Sequence, residues 1–156
     1  MYVFEPLPAG HFIRLIELHP GNRQSSVVVT FKVFKLEEAP EYDTLSYVWG
    51  SPENKGLITC NGQLFTITAN LLLALQRLQH ESHGVLLWTD AICIDQCSDQ
   101  ERSDQVALMG VIYRSARRVY VHIPGRQRSL RECLDVQELV KEAKRRVVES
   151  GGWSKM

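Results

Sequence analysis

A short, unbroken apolar run, VLLW at Val85–Trp88, constrains the fold of this chain more than any other feature. Such a run is typical of a strand that is buried on both faces. Residues with helical spacing precede it over 71–78 and follow it over 106–116, and an alternating strand pattern comes next at 119–123. This alternation of strand and helix predicts an α/β fold with right-handed crossovers onto a partly parallel sheet flanked by helices.

The first part of the chain has the residue composition of β-strands. The runs FIRLIEL, SVVVTFKVF, TLSYVW, LITC and QLFTI are rich in β-branched and aromatic residues. Asn61 and Gly62 separate the last two runs, and both tolerate the positive φ of a type I′ hairpin turn. We therefore predict an N-terminal antiparallel portion, with TLSYVW, VLLW and VYVHI as neighbouring parallel strands and helices beginning near Thr68 and Ser98.

Length and composition favour one globular unit. The chain has 156 residues, of which 44% are hydrophobic, enough for one core. Ser129 and Glu132 fit a capping box, which predicts a helix from about Leu130 to Glu149 that ends at two glycines. We expect an α/β domain over residues 1–125 and a helical extension over 126–156 that belongs to the same domain.

The charge and hydropathy of the chain limit the partners and the compartment that we expect for the protein. Lys plus Arg and Asp plus Glu both number 18, so no global field favours a nucleic-acid partner. The sequence contains neither the pattern of a signal peptide nor an apolar run long enough to span a membrane. We therefore expect a cytoplasmic protein with no membrane contact, whose four cysteines are thiols.

The polar segment that follows the apolar strand is the first candidate for a site. In open parallel sheets, ligands bind beyond the carboxyl ends of the strands. Asp90, Cys93, Asp95 and Gln96 would lie there, and the SYVWGSP segment would wall the same cleft if its strand is parallel. The structural alternative is that Asp90 and Asp95 only cap loop amides, as short acidic side chains often do.

Two further patterns in this region have structural and chemical interpretations. Ser98 and Glu101 fit an S-x-x-E capping box, which favours a capping role for the glutamate. Arg102 can pair with Asp95 or Asp99, or hold a phosphate near the helix start.

The spacing of the cysteines and histidines does not match that of a known metal site. Cys93 with Cys97 and His80 with His83 supply zinc-type ligands, but the cysteine spacing is loose and no second cysteine pair completes a known pattern. We therefore predict no metal site. The common phosphate-binding and hydrolase signatures do not occur in the sequence.

The apolar positions of the strand and of the second helix predict much of the core. We expect Trp49, the last residue of the TLSYVW strand, to be partly buried. The residues predicted to be largely buried are Trp88, Ile92, Ile94, Val106, Met109 and Tyr113.

Three stretches resemble, in order and spacing, the fungal heterokaryon incompatibility (HET) domain. They are YDTLSYVWGS at 42–51, ITANLLLAL at 67–75 and LLWTDAICIDQCSDQERSDQVALMGVIYRSARRVYVHIPG at 86–125. They carry the family's L-S-Y-x-W-G, W-x-D-x-x-C-I-[ND]-Q, E-R and I-Y-x-x-A motifs. The resemblance implies a fungal protein of self/non-self recognition, in which such domains trigger growth arrest or programmed cell death when incompatible strains fuse.

The resemblance also implies a TIR-like fold. Several TIR domains cleave NAD with a glutamate beside the nicotinamide ribose, where a carboxylate stabilises oxocarbenium-like charge. By this analogy the candidate catalytic carboxylates are Asp90, Asp95 and Glu101, and NAD or a related nucleotide would bind although no cofactor is required. The ligand-binding candidates are Ser46, Tyr47, Trp49, Asp90, Asp95, Gln96 and Arg102.

The sequence departs from the family pattern in ways that bear on activity. Asp95 stands where the family most often has asparagine. Residues 153–156 resemble the start of the family's W-x-x-R-x-W-x-x-Q-E block, and the sequence ends before that glutamate. We therefore expect a truncated signalling module that self-associates or contacts other incompatibility proteins and does not turn over NAD. NAD cleavage by one of the three carboxylates, or a small-molecule sensor on the same fold, are the alternatives.

Overall fold

A computed structural model describes residues 2–122 and the backbone of Arg131–Glu132. In these residues eight strands form one sheet, in the order β5-β4-β2-β1-β6-β3-β7-β8. The strands are β1 Phe12–Leu18, β2 Val28–Lys35, β3 Asp43–Tyr47, β4 Lys55–Cys60, β5 Gln63–Thr68, β6 Val85–Trp88, β7 Arg118–His122 and β8 Arg131–Glu132. The helices are α1 Ala69–Leu78, α2 Asp90–Cys93 and α3 Asp99–Ser115, and a short 3-10 helix spans Leu36–Glu38.

The three predicted parallel strands are neighbours in this sheet. Strand β3 pairs in parallel with β6 on one side and with β7 on the other, where Tyr47 lies opposite His122. Strand β3 ends at Tyr47, two residues earlier than predicted. The carbonyl of Val48 accepts a hydrogen bond from the side chain of Asn70 at 3.0 Å, so its partner lies in α1 rather than in a neighbouring strand.

The N-terminal strands extend the sheet beyond β6. Strand β1 is antiparallel to both β2 and β6, and β4 with β5 forms an antiparallel hairpin. Asn61 and Gly62 turn this hairpin with φ values of 47° and 77°, as the predicted turn requires. Strand β4, however, pairs with β2 in parallel, so the N-terminal portion is not antiparallel throughout.

Helices α1 and α3 begin next to Thr68 and Ser98, as predicted. The Thr68 hydroxyl accepts from the Leu71 amide at 3.3 Å, and the Ser98 hydroxyl accepts from the Glu101 amide at 3.2 Å. Helix α1 contacts β3, β4 and β5. Helix α3 is joined to the neighbourhood of β3 because the carbonyl of Ile112 accepts from the Tyr42 hydroxyl at 2.7 Å.

The predicted core is confirmed except at one position. Trp88, Ile92, Ile94, Met109 and Tyr113 are buried and Trp49 is half-buried. The prediction is wrong for Val106, which is only half-buried. Its neighbour Gln105 is buried instead, and the Gln105 side chain donates to the carbonyl of Phe12 at 2.8 Å.

The C-terminal prediction is wrong where it can be compared with the structure. Arg131 and Glu132 form strand β8, antiparallel to β7, instead of the first turn of a helix. Pairing with the edge of β7 outweighs the local capping signal of Ser129 and Glu132. The rest of that helix lies outside the described residues, as does most of the 126–156 extension. None of the helices in the described part of the chain has the length and apolar character to cross a bilayer.

Candidate functional site

In open parallel sheets a ligand crevice lies outside the carboxyl ends of the strands, which here are β3, β6 and β7. From β3 the chain reaches β6, on one side of β3, and from β6 it passes through α3 to β7, on the other side. This reversal makes the space between β3 and β7 the topological switch point, where ligands of open α/β sheets bind. Tyr47 at the end of β3 lies opposite His122 at the end of β7, and Asp90 follows β6 on the other side of β3.

Ser46, Tyr47 and Asp90 lie near one another at the carboxyl ends of β3 and β6. The Asp90 carboxylate accepts from the Ala91 amide at 2.8 Å at the start of α2. Burial raises the pKa of Tyr47, and the charge on Asp90 raises it further. The Tyr47 hydroxyl therefore remains protonated at neutral pH.

Tyr113 is a member of this group that the sequence indicated only as core. Burial, followed by the charge on Asp90, raises its pKa well above the usual value, so this hydroxyl is also protonated at neutral pH. Ser46 lies beside that hydroxyl, and the Tyr113 ring meets Trp88 edge to face, with centroids 5.5 Å apart. The helical periodicity of α3 places Tyr113 on the buried face, but its polar surroundings depend on the ends of two strands distant in sequence.

The side chains of Asp95 and Gln96 form hydrogen bonds to the backbone of the polar segment. The Asp95 carboxylate accepts from the Cys97 amide at 3.0 Å, which is the loop-capping alternative. The Gln96 side chain donates to the carbonyl of Asp90 at 2.7 Å. Arg102 donates to the carbonyl of Gln96 at 2.9 Å and pairs with Asp99, one of its two predicted partners. These contacts fold the segment onto the start of α3.

Glu101 has a different role from the one its spacing predicted. The capping box is half correct, since Ser98 caps the Glu101 amide. The Glu101 carboxylate, however, accepts from the Asp95 amide at 2.7 Å and not from the Ser98 amide, which bonds to the Asp95 carbonyl. It also forms an ion pair with Arg14, in which Nη1 lies 2.6 Å from Oε1.

Arg14 in β1 is the residue that the sequence analysis missed. Its side chain is 3% exposed and that of Glu101 is 9% exposed, so the ion pair is buried. Arg14 also donates to the carbonyls of Cys93, at 2.9 Å, and Glu5, at 2.7 Å. A single arginine within the otherwise apolar core of FIRLIEL is a signal for a buried cation, because such a charge is rarely buried without a partner.

The thiols of the described residues do not form a reactive or metal-binding group. Cys93 is fully buried, and burial raises its pKa to about 12, so it is a neutral thiol at neutral pH. Cys60 is also buried, whereas Cys97 is exposed. His80 and His83 stack with ring centroids 3.8 Å apart. Within residues 2–122, no three His, Cys, Asp or Glu side chains are grouped as a metal site would require.

Buried polar atoms without a partner concentrate at the carboxyl edge. Seven such side-chain atoms occur among the described residues. Four of them belong to residues at or after the ends of β6 and β7, namely Trp88, Thr89, Gln96 and His122, and a fifth is the Tyr47 hydroxyl at the end of β3, which has Thr68 beside it. Buried polar groups normally have hydrogen-bond partners, so this edge has unused capacity to bond a polar ligand or water.

A family model described as Heterokaryon incompatibility protein (HET) matches residues 42–155, which include β3, β6, β7 and the polar segment between β6 and α3. The chain belongs to the HET family. It is similar to Heterokaryon incompatibility protein 6, OR allele, of Neurospora crassa, with 33% identity over 128 residues. That similarity covers 73% of this chain and 19% of the relative, so the chain spans a small part of the relative's length. No solved structure shows a significant match.

The family model covers one partner of the buried ion pair and not the other. Glu101 lies inside the matched range, whereas Arg14 lies before its first residue, Tyr42. The glutamate of the E-R motif in this HET chain is thus bound by a residue of the preceding β portion. Strand β1 is therefore needed to complete the environment of the motif.

Proposed function

We propose that this chain is a recognition and signalling module of heterokaryon incompatibility, acting through self-association or contact with other incompatibility proteins, and not a catalyst. The observation that carries the proposal is that the Glu101 carboxylate is already bonded to other groups of the protein. This carboxylate bonds to a buried guanidinium and a backbone amide, so it is held within the fold and does not face a ligand. Glu101, the glutamate of the E-R motif, therefore has a structural role. The recognition role is inferred from membership of the HET family.

The recognition role can be tested by inducible expression in Neurospora crassa. We expect the wild-type chain to arrest growth and Asp90→Asn to abolish the arrest, because that change removes the charge at the crevice. The matched control is Arg23→Gln, an exposed residue in the turn after β1, which lies toward the opposite edge of the sheet. Growth of wild-type expressors equal to that with empty vector would contradict the proposal, as would full arrest by Asp90→Asn.

Nucleotide binding with NAD cleavage is the second candidate function. The observation in its favour is the position of Asp90 at the carboxyl edge of the parallel strands, beside two protonated tyrosine hydroxyls. The unpartnered buried polar atoms at the same edge support binding of a polar ligand there. Of the three candidate carboxylates, Asp90 is the one whose charge acts on both tyrosines.

We predict that the purified chain binds nucleotide weakly at most and releases nicotinamide from NAD no faster than buffer. A carboxylate that stabilises an oxocarbenium-like charge must face the ribose, and Glu101 faces Arg14 instead. The measurement is nicotinamide release followed by chromatography, with Asp90→Ala and Arg23→Gln as paired variants. Robust release that Asp90→Ala abolishes and Arg23→Gln preserves would make Asp90 the catalytic residue and overturn the prediction.

A further inference from the structure

Residues 2–8, termed here the N-terminal strap, have neither helical nor strand structure and lie against the sheet. The Tyr2 ring packs edge to face on Phe31 and Phe65, with centroids 5.4 and 5.5 Å away. Its hydroxyl accepts from the side chain of Asn61 at 3.0 Å. The same asparagine accepts from the Phe31 amide at 2.9 Å, so the hairpin turn and β2 together hold the end of the strap.

The middle of the strap covers Arg14. The Phe4 ring lies over the guanidinium, which is 4.8 Å from the ring centroid, and Phe31 flanks it at 5.8 Å. The carbonyl of Glu5 accepts from Arg14 at 2.7 Å. The strap therefore supplies both an aromatic cover and one of the acceptors that a buried arginine needs.

From Arg14 the contacts continue without a gap into the polar segment, residues 89–98. Arg14 bonds to the Cys93 carbonyl and to the Glu101 carboxylate. Glu101 in turn accepts from the Asp95 amide, and Asp95 accepts from the Cys97 amide. A single buried guanidinium thus joins the strap to the segment that carries Asp90 and Gln96.

The strength of this connection depends on the strap being docked. Attraction between opposite charges is several times larger in a protein interior than in water, and an exposed ion pair contributes little. If the strap leaves, water reaches Arg14, one of its donors loses its acceptor and the pair with Glu101 weakens. The Asp95 amide then depends on a carboxylate that is held less firmly.

We propose that the N-terminal strap is a control element that sets the conformation of residues 89–98 through Arg14. A partner that binds the strap and lifts it from β2 would loosen the segment next to the crevice. The coupling is reciprocal, because strap docking and segment order stabilise each other by the same free energy. It does not depend on whether the crevice serves recognition or catalysis.

Amide hydrogen exchange at Asp95 and Cys97 tests the proposal on the full chain. Phe4→Ala removes the aromatic cover, and we expect it to speed exchange at both amides about 10-fold, the equivalent of about 1.4 kcal/mol of coupling. Val3→Ala is the matched control in the same strap, because Val3 is 80% exposed. The amide of Leu45 in β3 reports global opening, and in both variants it should still exchange far more slowly than the amides of Asp95 and Cys97.

The reciprocal experiment uses Glu101→Gln and limited chymotrypsin digestion. Loss of the carboxylate charge should release the strap, so cleavage after Phe4 should accelerate severalfold while Val3→Ala leaves it unaffected. The coupling would be overturned if Phe4→Ala left Asp95 exchange unchanged, if Val3→Ala had the same effect, or if Asp95 exchanged no faster than Leu45. Unaltered strap cleavage in Glu101→Gln would overturn it equally.

Discussion

Replacement of Arg14 by methionine is expected to lower the free energy of unfolding by about 3 to 5 kcal/mol, since it leaves a buried carboxylate without its partner. Among residues 2–122, Glu101 would retain only the Asp95 amide as a hydrogen-bond donor from outside its own helix. The carbonyls of Cys93 and Glu5 would lose a donor as well. Chemical denaturation of wild type and variant, followed by far-ultraviolet circular dichroism, measures the difference.

An exposed ion pair on the same strand provides the matched control. Glu17 in β1 pairs with Lys32 at 2.8 Å, with side-chain exposures of 37% and 43%. Lys32→Met should therefore cost no more than about 1 kcal/mol. Replacing both Arg14 and Glu101 with apolar residues should recover part of the loss, because no charge is then left buried alone. Equal effects of the two single replacements would contradict burial as the cause.

Local signals in the sequence were sufficient for the parallel half of the sheet. The apolar run of β6, the capping threonine and serine before α1 and α3, and the Asn-Gly turn each act over a few residues. Right-handed crossover then leaves few ways to arrange β3, β6 and β7. The same rule placed Asp90 beside Tyr47, because parallel strands present their carboxyl ends at one edge.

Pairings between distant segments could not be predicted in this way. Nothing in the sequences of β2 and β4 specifies that they run parallel, since that depends on where the chain returns after β3. Residues 131–132 carry a helix-capping pattern but pair with the edge of β7. In both cases a tertiary partner decides the structure of a segment whose own preferences are weak.

The same limit explains what was missed at the candidate site. Glu101 has a local interpretation as a capping residue, and the structure retains only half of it. Its principal partner, Arg14, lies 87 residues earlier in the chain, and no local rule joins the two. The polar segment is therefore chiefly a connection fixed by a buried ion pair, while Asp90 at its start is the group whose charge acts at the crevice.

Truncation of Trp88 to alanine is expected to lower the free energy of unfolding by about 3 to 5 kcal/mol, the range for emptying a large core site. Trp88 is fully buried and packs edge to face on Tyr113. Its indole nitrogen has no hydrogen-bond partner among the described residues, so the cost comes from lost volume rather than from a lost bond.

Because the cost comes from lost volume, a side chain of intermediate size at position 88 should have an intermediate effect on stability. Trp88→Phe keeps an aromatic ring against Tyr113 and should cost clearly less than Trp88→Ala, because the cavity is smaller. Leu64→Ala is the control for a large apolar side chain outside the core, since Leu64 is 69% exposed and its truncation should change stability by no more than about 0.5 kcal/mol. Thermal and denaturant midpoints measured on the three variants provide the test. A Trp88→Ala protein as stable as wild type would mean that the indole faces solvent or a ligand, and the crevice would then extend beneath β6.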